Sequence, residues 1–201
     1  MTDFWIYVEI GLKHVLNLNG YDHVLFLMAL TVSNSFHEWK RMLLFITVFT
    51  IGHTLALVLS VFDVLCINEG LVELLIPMTI LVTALFNFVM LRKSFKKESI
   101  KSTILITLFF GIIHGLGFSN YFKTILPGNA LDKIVPLFEF SIGIEGAQMV
   151  VVLTVLILSY SVQNLFKVTK RDFSMVMSAG IIGVVLPLII KNEIWKTFTW
   201  N

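Results

Sequence analysis

The chain has 201 residues, of which 57% are hydrophobic and 14% charged, against roughly 25% charged in an ordinary soluble domain. With a mean hydropathy of +0.88 and 18 phenylalanines, no water-soluble core of this length could hide the apolar side chains, which excludes soluble enzymes, disordered regulators and nucleic-acid modules. The net charge of +2 points to no polyanionic partner, and a lone cysteine, Cys66, excludes an intrachain disulfide and a cysteine zinc cluster.

What remains is an all-α, polytopic membrane bundle, read as a single integral-membrane domain over residues 1–201 whose surroundings are the lipid bilayer. The first residues carry no basic stretch before Lys13 and no small-residue cleavage site, so no removable signal peptide is expected. Residues 4–13 read as a segment lying on the membrane surface. A bilayer core about 30 Å thick takes about 20 apolar residues per helix. The first span is expected over His14–Ser33, polar or broken in its outer half at Asn17-Leu-Asn-Gly20, because the strongly apolar run Val24–Val32 is too short alone. Five further windows follow at Met42–Phe62, Leu71–Leu91, Ser102–Phe122, Val135–Ser159 and Ser174–Ile190, making about six spans. No internal repeat is convincing.

Basic residues orient the bundle. Loops 34–41, 92–101 and 160–173 hold ten Lys and Arg, and the opposite side holds five, Lys13, Lys123, Lys133, Lys191 and Lys196. The positive-inside rule therefore places both termini outside a bacterial inner membrane, with Trp5, Tyr7, Trp195 and Trp200 near the outer interface.

Ionisable residues inside spans are costly unless paired or lining a wet cavity, so each is a candidate functional group. They are Asp22, His23, His53, His114, Glu139 and Glu145, with His14 at the edge. At about 1.5 Å per residue, His53 and His114 sit roughly 18 Å from the inner face, Glu145 about 15 Å and His23 about 13 Å from the outer face. Three histidines and a carboxylate from four helices thus share a depth. Imidazole and carboxylate together suit a divalent transition metal, and a metal would offset the burial of Asp22 and Glu145. Structural histidines bonded to neighbouring carbonyls or hydroxyls, or a proton relay, are the alternatives. His37, beside Glu38, reads as solvated, and the eight Met as packing. Thr47, Thr50 and Thr54 share one helical face, and Thr79, Thr83 and Asn87 another, which suits interhelical hydrogen bonds or a lined path. Gly111 with Gly115, and Gly143 with Ala147, are expected to let helices close on one another and bring His114 and Glu145 together.

Four stretches also resemble one family pattern. Gly11-Leu-Lys-His14 followed by Gly20-Tyr-Asp22-His23-Val-Leu-Phe-Leu, then Phe49-Thr-Ile-Gly-His53-Thr-Leu, Gly111-Ile-Ile-His114-Gly-Leu-Gly-Phe118 and Phe140-Ser-Ile-Gly143-Ile-Glu145-Gly-Ala-Gln148 resemble, in order, the motifs of the HupE/UreJ membrane proteins. The resemblance implies a nickel or cobalt permease, with the ion as substrate at His23, His53, His114, Asp22 and Glu145, and His14 as an entry ligand. The alternative is a membrane-embedded zinc hydrolase acting at the outer leaflet, with Glu145 or Asp22 as general base. A non-catalytic assembly partner is a third reading, and a homo-oligomer stays open.

Overall fold

The computed structural model describes residues 3–17, 20–65, 67–92, 100–125 and 128–195. Cys66, Lys93, Lys96, Lys97, Lys196 and Trp200 lie outside the described residues. Seven α-helices make up the described chain: α1 (Asp3–Val15), α2 (Asp22–Thr31), α3 (Trp39–Val61), α4 (Glu69–Arg92), α5 (Ile100–Ile125), α6 (Ile134–Leu165) and α7 (Lys170–Ile190). Helices α3 to α7 are each long and apolar enough to cross a membrane. Helices can do so because each bonds its own backbone polar groups within the segment, leaving none unpaired in the hydrocarbon.

The first crossing consists of two helices, α1 ending at Val15 and α2 beginning at Asp22; Leu18 and Asn19 of the polar stretch lie outside the described residues. At about 1.5 Å per residue, α1 and α2 are roughly 20 and 15 Å long, each too short alone and together enough. The outcome for residues 4–13 differs from the expectation of a surface segment. They form α1, which packs on α6, because Gly11 and Gly143 let the two backbones touch. A methyl group on Gly11 would collide with the carbonyl oxygen of Phe140, and one on Gly143 with that of Val8. Gly143 therefore seats α1 and does not join His114 to Glu145. Gly111 and Gly115 seat α5 on α3, where added methyl groups would strike the carbonyls of Phe49 and His53. Gly52 reciprocates against Leu108.

The two crossings have the same register. Gly52 faces the carbonyl three residues before Gly111 and the amide one residue after it, and Gly111 sees α3 in the same offsets. Gly11 and Gly143 repeat those offsets on α6 and α1. The sequences at the crossings match too: Gly11-Leu-Lys-His14 with Gly111-Ile-Ile-His114, and Phe49-Thr-Ile-Gly52 with Phe140-Ser-Ile-Gly143. An internal repeat is thus present, relating α1, α3 and α4 to α5, α6 and α7. Each unit's first helix packs on the other unit's second, and α4 packs on α7. Three crossings separate equivalent helices, so the two units run in opposite directions. The repeat is carried by four-residue matches and is invisible until the crossings are known.

Polar side chains fasten the rest. Asn87 on α4 donates to the Ala29 carbonyl (2.8 Å) and to Ser178 of α7 (3.3 Å), and accepts from Ser33 (3.0 Å). At the opposite end Lys123 lies 2.6 Å from Asp63, tying the loop after α3 to α5, and its hydrogen bond and charge hold the Asp63 carboxyl below the usual carboxylate range.

Candidate metal centre

The seat of α5 on α3 brings His53 and His114 to the ring of one residue, Phe49 (6.4 and 5.2 Å), and the seat of α1 on α6 brings His14 to His53 (5.7 Å). His23, in the first turn of α2, lies against all three histidines. The His23 ring centroid lies 4.7 Å from that of His14, 5.6 Å from His53 and 5.1 Å from His114. Two overlapping sets of donor atoms result, each with its atoms within 4.8 Å of one another: His14, His23 and His53, and Asp22, His23 and His114. His23 belongs to both.

Burial and hydrogen bonding distinguish this cluster from ordinary structural histidines. Six imidazole nitrogens, His14 Nε2, His114 Nδ1 and both nitrogens of His23 and His53, are buried with no hydrogen-bond partner. Such atoms cost roughly 1–3 kcal/mol each when left unbonded. The partner of the other His114 nitrogen, Nε2, is informative. Thr79 donates its hydroxyl hydrogen to the Ile76 carbonyl (2.7 Å), so its oxygen accepts from His114 Nε2 (3.0 Å). That places the His114 proton on Nε2 and leaves a lone pair on Nδ1, 3.9 Å from the Asp22 carboxylate. Asp22 also lies 3.6 Å from His23 Nδ1. A lone pair facing a carboxylate with no proton between them is the arrangement that accepts a cation. It also matches the habit of metal-bound histidines, whose other N–H is held by a second residue.

The cluster sits among Phe49, Phe118 and Phe140. Its polar mouth is Asp22, whose side chain is 28% exposed while His23 and His114 are 2% and 0%. Because Asp22 is the first residue of α2, the start of a new helix is what admits a carboxylate to this depth.

A profile of the HupE/UreJ protein family matches residues 1–191. The chain belongs to the HupE/UreJ family. Neither a curated relative nor a solved structure matches it. It is a HupE/UreJ membrane protein with His and Asp groups that could bind a metal.

Other candidates of this HupE/UreJ chain fall elsewhere. Glu145 accepts from Thr47 at 2.6 Å and belongs to neither donor set. Thr50 divides its hydroxyl hydrogen between the Ile46 carbonyl (3.1 Å) and Gln148 (3.2 Å), and Thr54 shares a 2.7 Å bond with Ser141, so the α3 threonines reach α6. Glu139 is half-buried on α6 and is in neither set, and His37 is exposed. Two cavities lie apart from the histidines. One, about 290 Å³, lies at the end holding Glu69, Glu73 and Lys123. The other, about 340 Å³, lies between α2, α4 and α5 at the end holding Glu38, Arg41 and Lys170. Neither is lined by a histidine.

Proposed function

We propose that this protein is a permease for a divalent transition-metal ion of the nickel or cobalt type, carried through a site made by His14, His23, His53, His114 and Asp22. The observation that carries the reading is the His114 Nδ1 lone pair facing the Asp22 carboxylate across 3.9 Å, within a set of imidazole nitrogens that have no other partner. Imidazole favours nickel, cobalt or zinc over magnesium or calcium, and one carboxylate offsets part of the ion's charge. Family membership supports the class of ion. The oppositely directed repeat supports transport, since inverted units around a broken helix at mid-membrane are how many secondary transporters build their substrate sites. The ten-to-five bias of basic residues orients the molecule with both termini outside a bacterial inner membrane. Asp22 then faces the outside, and the Glu38 end faces the cytoplasm.

A zinc hydrolase on the same histidines would need a carboxylate base besides the ligands. Among the described residues Asp22 is already in the donor set and Glu145 is held by Thr47. The test is bound nickel per purified chain, together with nickel flux into proteoliposomes, for wild type, His23→Ala and Glu145→Gln. Binding and flux are expected in wild type and Glu145→Gln, with both lost in His23→Ala. Bound nickel without wild-type flux overturns the permease reading, and flux surviving His23→Ala overturns the site.

A further inference from the structure

One side chain, Phe26, touches both the 340 Å³ cavity and the histidine cluster. Phe26, one turn along α2 from His23, is 1% exposed. Its ring lies 5.3 Å from the His114 ring and stacks on Phe49 at 4.8 Å. The same residue lines the cavity, beside Phe110, whose ring is 6.0 Å away. Past the two rings the walls mix Val82, Phe86 and Ile106 with the polar Thr83, Asn87 and Thr107, and end at Glu38 and Arg41. The volume suits a hydrated divalent ion: six waters at about 30 Å³ each occupy roughly 180 Å³.

We infer that this cavity is the cytoplasmic exit vestibule of the ion path and that Phe26 is the gate between it and the metal site. The inference rests on the permease reading and adds to it a route and a residue. The most exposed ligand of the site is Asp22, at 28%, and on the side of the cavity the site is closed by Phe26, at 1%. An ion held by neutral imidazoles cannot shed its ligands into an apolar aromatic wall, because nothing there replaces the lost coordination. It needs water on the far side, and the vestibule is where water fits. The gate moves with the ligand, since Phe26 and His23 sit on the same ten-residue helix. Displacing α2 would loosen His23 from the ion and withdraw Phe26 from the path in one motion. Glu38 is not a second ion site, since its carboxylate caps the Ser35 amide at 3.0 Å and lies beside Arg41 and Lys170.

The experiment uses the full chain in proteoliposomes, with nickel as probe and a metal-sensitive dye inside, for wild type, Phe26→Ala, the milder Phe26→Leu and the bulkier Phe26→Trp. Bound nickel per chain should stay within two-fold of wild type in all three. Flux should rise several-fold in Phe26→Ala and Phe26→Leu and fall at least ten-fold in Phe26→Trp. In a Cys66→Ser background, Thr83→Cys should react with a membrane-impermeant cationic thiol reagent applied from the side of the 34–41 loop only. Wild-type flux that all three Phe26 variants leave within two-fold overturns the gate alone. A Thr83→Cys that reacts only from the opposite side overturns the vestibule. Absence of flux in wild type overturns the permease reading itself, whatever Phe26 does. If Phe26→Ala does not fold, Phe26→Leu and Phe26→Trp still give opposite signs.

Discussion

Replacing His53 by leucine should stabilise the metal-free protein, which is the reverse of what removal of a structural histidine does. His53 is 0% exposed, both its ring nitrogens lack a hydrogen-bond partner, and its surroundings include the Phe49 and Phe140 rings. Leucine is of comparable bulk and brings no polar atom. Removing two unbonded nitrogens at the low end of about 1 kcal/mol each gives a gain of about 2 kcal/mol. For a chain of this size that is roughly 4–8 °C in melting temperature, at about 2–4 °C per kcal/mol. Nickel reverses the ranking. At a hundred times its dissociation constant a ligand that binds only the folded state adds about 2.7 kcal/mol, or roughly 5–11 °C. His53→Leu should forfeit most of that. The assay is thermal unfolding in detergent with chelator and with nickel, for wild type and variant. A His53→Leu protein that melts below wild type in chelator would refute the argument, because it would mean that the imidazole is satisfied in the apo protein.

Three further outcomes follow from single contacts. Thr79→Val removes the acceptor that holds the His114 Nε2 proton and should lower nickel affinity by about 10–100-fold in a titration. Thr47→Val strips Glu145 of its 2.6 Å donor and should cost about 1–3 kcal/mol of stability, with bound nickel unchanged. Gly52→Ala drives a methyl group into the Leu108 carbonyl. It should destabilise by about 1–3 kcal/mol, as overpacking does, and weaken nickel binding by shifting the neighbouring His53 away from His14 and His23.

Positions along the membrane normal were legible in the sequence, and positions around each helix were not. Charge-free windows and a fixed rise place His23, His53 and His114 at one level, and the Asn-Leu-Asn-Gly stretch marks the break, because both are one-dimensional signals. Glu145 has the right depth and faces another way. At about 100° per residue it lies roughly 140° round α6 from Phe140, the residue that touches the His14 and His53 rings. Whether α1 lies on the surface or packs was equally unreadable, because Glu9, Lys13 and Trp5 suit an interfacial helix, and the deciding contact joins Gly11 to Gly143 across most of the chain. The Thr79 bond that sets the His114 tautomer had a signal, the Thr79, Thr83, Asn87 face, but nothing in the sequence says which helix that face meets.

The backbone contacts also say which part of the site is free to move. Gly52, Gly111 and Gly115 join α3 to α5, so His53 and His114 travel together, and Gly11 with Gly143 joins α1 to α6 and carries His14. Helix α2 contains no glycine. It packs on α4 and α6 and is tied to α4 by Asn87, which reaches the Ala29 carbonyl and, on α7, Ser178. A carrier must weaken binding on one side to release its ion, and the element able to do so is the one that holds a ligand without a backbone lock. In a Cys66→Ser background, a short bifunctional thiol reagent joining Ala29→Cys to Asn87→Cys should therefore leave nickel bound and stop flux at least ten-fold. The same reagent joining Leu12→Cys to Gly146→Cys, where the added side chain has room beside Leu12, should leave flux within two-fold of wild type. Flux that survives the α2–α4 link, or that the α1–α6 link abolishes, would place the moving part elsewhere.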